Sequence, residues 1–118
     1  MSDNYVSLTT FRKDGTPVPT PVWFAVADNK DLVIRSAPDA GKIKRIRNNP
    51  RVTLTPCDAR GRLTAGATTL DGTARLLERG GDEERAAARA LAAKYLLVRV
   101  VDLVRRNRPA VVIAVTPA

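Results

Sequence analysis

A chain of 118 residues with 44% apolar and 27% charged side chains has the size and make-up of one globular domain, and residues 1–118 are read as a single unit. It contains no histidine, which removes imidazole bases, Ser–His and Cys–His nucleophile pairs and most zinc sites. The net charge of +8 is concentrated: residues 35–62 hold eight Lys/Arg against two Asp, or +6, whereas residues 1–34 sum to −1 and residues 63–81 to zero. A local anion site fits this distribution better than a basic coat. With only 4% aromatic residues there is also little stacking surface for single-stranded nucleic acid, so no nucleic-acid partner is expected. No apolar run approaches the roughly 18–20 residues needed to span a bilayer. The N-terminus lacks the pattern of a secretory signal, and the single cysteine, Cys57, cannot form an internal disulfide. A cytoplasmic protein with no membrane partner and no metal site is expected. Any redox or group-transfer chemistry is then most simply brought by a cofactor.

Along the chain, residues 5–11 are rich in β-branched and aromatic side chains and read as a strand. Asp14-Gly15 marks a tight turn. Residues 17–26 follow, with prolines at 17, 19 and 21; this suits the start of an edge or bulged strand, with regular sheet from Val22 to Val26. Residues 28–31 are a second turn and 32–34 a third strand. A short basic helical turn lies between it and a fourth strand at 52–55. Residues 56–62 read as a loop and 68–77 as a fifth strand, where Gly72 signals a bulge or a close backbone approach. Gly80, Gly81 and Asp82 break the sheet and cap an Ala-rich helix over 83–94, with acids in its first turn. Residues 95–106 read as strand by valine content and as helix by the spacing of Leu97, Val101 and Val104; helix is preferred. Residues 110–116 form the last strand. Six strands with one helical excursion before the last predict a mainly β, antiparallel, closed or half-closed barrel.

The basic turn is the stretch most suggestive of function. Asp39 is expected to cap it, Pro50 to stop it, and Ile43 and Ile46 to face inward. Lys42, Lys44, Arg45 and Arg47 are left around the rim. A strand feeding a helix start at Gly41 and Lys42 suits a phosphate, since the first N–H groups of a helix have no partner within it. The same residues, taken alone, also describe a solvated basic connector. Trp23, on residue type, reads as core before ring contact. Thr20 reads as an ordinary strand residue, Ser36 as the start of the turn and Cys57 as structural.

The order and spacing of several short motifs carry a resemblance. Residues 8–24 (LTTFRKDGTPVPTPVWF), Gly41-Lys42 leading to 45–52 (RIRNNPRV), the 56–61 loop (PCDARG), 71–74 (DGTA) and 113–117 (IAVTP) resemble the pyridoxamine-phosphate-oxidase-like split β-barrel superfamily. Within it they are similar to the actinobacterial group of F420-dependent oxidoreductases. The resemblance spans essentially the whole chain. It implies a six-stranded split barrel that forms a homodimer and binds the deazaflavin F420 in a groove between subunits. Reduced F420 would deliver a hydride to an electron-poor small-molecule substrate. Mapped onto this sequence, it implies Lys42 as the first phosphate contact, Lys44 as the next and Ser36 as a hydroxyl donor, with Thr20, Pro21, Val22 and Trp23 meeting the ring, mainly through backbone. FMN in place of F420, and a non-catalytic cofactor-binding protein, are the alternatives; nucleic-acid binding through 35–62 and the arginines at 105, 106 and 108 ranks last. No catalytic residue is assigned. Tyr5 and Tyr95 are proton-donor candidates by elimination only, and the segment before Tyr5 is short where related enzymes often have a helix, so the resemblance implies a substrate side that is either open or built by the partner subunit.

Overall fold

The computed structural model describes residues 5–94 and 111–118. The expected helix over 95–106, Tyr95, the three C-terminal arginines and the segment before Tyr5 lie outside the described residues. In chain order the elements are β1 (Tyr5–Phe11), β2 (Pro17–Trp23), β3 (Ala25–Val26), β4 (Leu32–Ser36), α1 (Gly41–Asn48), β5 (Arg51–Pro56), β6 (Leu70–Leu76), α2 (Asp82–Lys94) and β7 (Val111–Pro117). The strands form one antiparallel sheet in the order β2-β1-β5-β6-β7-β4-β3. Its two edge strands, β2 and β3, are neighbours in sequence, separated only by Phe24. That connection requires the sheet to curl until its two ends meet. The sequence predicts six strands and the sheet has seven; the difference is the break at Phe24, where one continuous apolar run leaves β1 and begins to pair with β4.

Strand alternation sends Val6 and Leu8 of β1, Val22 of β2, Ile34 of β4, Val52 and Leu54 of β5, and Ile113 and Val115 of β7 into the interior. Ile43 and Ile46 of α1, three residues apart, enter the same cluster and plug one end of the barrel. Each contributes about 1.5–3 kcal/mol by burial. Gly72 of β6 is needed where it stands, because a Cβ there would lie 2.7 Å from Val115 Cγ1 and 3.2 Å from the Thr116 carbonyl oxygen. The close backbone approach anticipated at this glycine is therefore present.

The outer face divides in two. Over β3, β4 and β7, helix α2 lays Ala87 and Leu91 on Ala25, Val33, Val112 and Ala114. Arg75 of β6 staples this half together: it donates to Asp31 at 2.9 Å, in the turn before β4, and to Glu83 of α2. Over β2, β1, β5 and β6 no helix lies among the described residues. Register places Pro21 beside Ser7 and Thr55, and Pro19 beside Thr9, Thr53 and Asp71. At the end of this face the Arg51 guanidinium sits 5.2 Å over the Phe11 ring. The loop after β5 folds back over part of it, with Cys57 bridging to Leu63, Thr55 Oγ1 2.8 Å from Thr69 Oγ1, and Gly61 close to the Pro21 ring.

Candidate functional site: a cation pair at the barrel mouth

The chain leaves β4 at Ser36 and enters α1 at Gly41. Ala40 is the cap, extended at φ −63° and ψ 144°, and no side chain bonds to the first turn. The cap expected from Asp39 is not formed, because the helix begins one residue later than a cap at 39 requires. The Ile43 N–H donates to the Ala40 carbonyl at 3.0 Å. The N–H groups of Gly41 and Lys42 precede that first bond and have no acceptor within the helix. The positive end of the helix dipole is thus left without a side-chain acceptor.

Lys42 and Arg45 share one side of α1, three residues apart, next to the face that buries Ile43 and Ile46. Arg45 turns back along the helix. Its Nε donates to Thr10 Oγ1 of β1 at 2.6 Å, and its Nη1 passes so close to Gly41 that a Cβ there would stand 2.8 Å from it. Lys42 is half-buried, and its pKa is held below the ordinary lysine value, first by that burial and then by the neighbouring guanidinium. Among the described residues no carboxylate forms an ion pair with either side chain. Two partly desolvated cations held side by side at a helix N-terminus repel one another, and a bound anion offsets that cost.

The residues assigned from the sequence fall in several places. Lys42 lies in this pair. Lys44 is exposed on the opposite side of α1 and does not converge with it. Ser36 is buried at the end of β4, and its hydroxyl donates to the Ala37 carbonyl oxygen at 3.1 Å. The four β2 residues separate by alternation: Val22 is in the interior core and Thr20 shares its face, whereas Pro21 and Trp23 point outward. Trp23 is 43% exposed and meets Tyr5 edge-to-face at 6.0 Å, so the core role suggested by its residue type is not the one it has. Thr10 is the addition; Arg45, left on the rim by the sequence, and Gly41, at the expected helix start, join Lys42 here. The Lys42–Arg45 spacing was visible in the sequence; Thr10, 35 positions away, gave no signal. Cys57 is buried, with its thiol pKa raised by that burial and then by Asp58, which keeps it a thiol.

β2 adds a second feature. A proline has no N–H, so Pro17, Pro19 and Pro21 keep the ladder with β1 only where their nitrogens face away from it. The free edge of β2 therefore presents carbonyl oxygens and no donors at these three positions. This edge starts beside the cation pair, since Val18 is paired with Thr10. Trp23 lies five residues farther along, or about 16 Å at strand rise.

Comparison with known proteins agrees with this architecture. The sequence model of the pyridoxamine 5'-phosphate oxidase family matches residues 2–118. No curated protein matches the chain at a significant level. Among solved structures, the heme storage protein HutZ of Vibrio cholerae superposes with a TM-score of 0.78 at 15% identity, covering 99% of this chain and 83% of that one. A FAD-binding protein of Mesorhizobium loti gives 0.65 at 25% identity, covering 97% and 79%. A putative pyridoxamine 5'-phosphate oxidase of Listeria innocua gives 0.61 at 20% identity, covering 97% and 83%. The curled antiparallel sheet and the family match over nearly the full length lead to one assignment: the chain belongs to the pyridoxamine 5'-phosphate oxidase family.

Proposed function

We propose that this protein is an F420-dependent oxidoreductase, a homodimeric cytoplasmic reductase that holds the phosphate of its coenzyme at the N-terminus of α1. The observation that carries the reading is the Lys42–Arg45 pair, two half-buried cations beside free helix N–H groups with no carboxylate partner among the described residues. When bound, the deazaflavin supplies hydride transfer to an electron-poor organic substrate. The chain's own part is to bind and orient. Lys42, Arg45 and the first N–H groups of α1 grip the phosphate, and Lys44 and Arg47 add long-range attraction. Ser36 closes the end of β4 behind them. Thr20, Pro21, Val22 and Trp23 form the strand along which the ring lies, with Pro21 and Trp23 on its outer side and its free carbonyls toward ring donors. With no histidine in the chain, water or substrate delivers the proton.

FMN is the second reading, favoured by the likeness to the FAD-binding protein of Mesorhizobium loti. It also presents a phosphate and a similar ring. The heme-protein neighbour shares the fold, but an imidazole ligand for heme cannot come from a chain without histidine. Trp23 is the only tryptophan and is a built-in reporter. Titration of the purified protein with F420 and with FMN is expected to change Trp23 emission saturably with the true coenzyme. Flat titrations with both rule out the coenzyme reading.

A further inference from the structure

We infer that Thr10 is a positioning residue that fixes the Arg45 guanidinium as a two-pronged phosphate clamp, and that Gly41 is the vacancy this clamp requires. The inference rests on the phosphate reading and adds to it the device that sets selectivity for a phosphorylated coenzyme. An unrestrained arginine at this position would swing toward solvent, away from the like charge of Lys42. Here its Nε is taken by the Thr10 hydroxyl at 2.6 Å. Thr10 is 1% exposed, so bulk water does not compete for that oxygen. With Nε engaged, the outer nitrogens Nη1 and Nη2 remain as a planar fork, which matches two oxygens of one phosphate. The fork lies across the helix start because Gly41 has no Cβ; a methyl group there would meet Nη1 at 2.8 Å and displace it. The clamp is thus assembled from β1 and α1, elements brought together by the plugging of the barrel end by Ile43 and Ile46.

The test is a ratio of affinities, phosphorylated over phosphate-free ligand. The probes are FMN against riboflavin, and F420 against its phosphate-free deazaflavin chromophore; the pair used is the one the wild type binds. Thr10→Val keeps the side-chain volume and is expected to lower the ratio about ten-fold, with the phosphate-free ligand bound as before and Thr10→Ser restoring the ratio. Arg45→Lys, which keeps the charge on a partly exposed side chain, and Gly41→Ala are expected to lower it as well. Equal weakening of both ligands by Thr10→Val, or an unchanged ratio in Thr10→Val and Arg45→Lys, overturns the clamp. If Lys42→Ala lowers the ratio while those two variants do not, the clamp fails and the phosphate seat stands. If none of the variants lowers it, the phosphate seat fails as well.

Discussion

Lys42 is the residue where stability and function oppose each other. Its ammonium is partly desolvated beside Arg45, and its pKa in the folded chain is lowered. The unfolded chain therefore binds more protons as pH approaches the ordinary lysine value of 10.5, and stability from this group rises with pH through that window. Without ligand, Lys42→Met is expected to be more stable than the wild type at neutral pH, and the advantage is expected to shrink as pH rises toward that value; thermal unfolding at several pH values checks this. With ligand the sign reverses. Lys42→Ala is expected to weaken coenzyme binding by about 1.5–3 kcal/mol, the range for a hydrogen bond to a charged group, with the fold retained. Wild-type affinity in that variant would place the phosphate elsewhere. At this scale the sequence was partly legible. The inward pair Ile43 and Ile46 followed from helical spacing, whereas Lys42 was picked out by the helix start and the family resemblance. The division of Lys44 from Lys42 follows from the same 3.6-residue period once the helix start is known. The Thr10–Arg45 bond depends on tertiary packing and has no local pattern.

At the scale of elements, β1, α2 and β7 were readable because each carries one dominant signal: β-branched alternation, an Ala-rich run with a charged first turn, and a continuous apolar run. The break at Phe24 was not, since nothing local in a Val-Trp-Phe-Ala-Val stretch records that its two halves pair with opposite ends of the sheet. The alternate prolines of β2 were read as an edge device, and β2 is an edge strand. Restoring a donor there is expected to matter: Pro19→Val should increase concentration-dependent association, measured by light scattering, because an edge with N–H groups can template another strand. Gly72→Ala places a methyl group against Val115 and the Thr116 carbonyl. It is expected to destabilise the fold by about 1–3 kcal/mol, the usual cost of overpacking, in denaturant unfolding.

For the whole molecule, the two outer faces have different fates. Arg75 ties β6 to α2 and to the turn before β4, and its partner Asp31 is buried. Arg75→Met is expected to cost about 1–2 kcal/mol, mainly by leaving that carboxylate without its charged partner, and to loosen α2 first in hydrogen exchange. The face over β2, β1, β5 and β6 carries exposed Trp23 beside rows of threonine and proline. In the proposed homodimer this is the face that meets the second copy, and sedimentation is expected to give twice the chain mass. Fold class was legible from strand count and turn spacing, whereas the pairing order that curls the sheet was set by contacts far apart in sequence.

The most direct test of the central claim is a crystal structure of the protein with F420 bound. The expected result has the phosphate within hydrogen-bond distance of Lys42 Nζ and the Arg45 guanidinium, at the first turn of α1, with the ring along β2. A phosphate bound at any other element, with Lys42 and Arg45 in solvent, contradicts it.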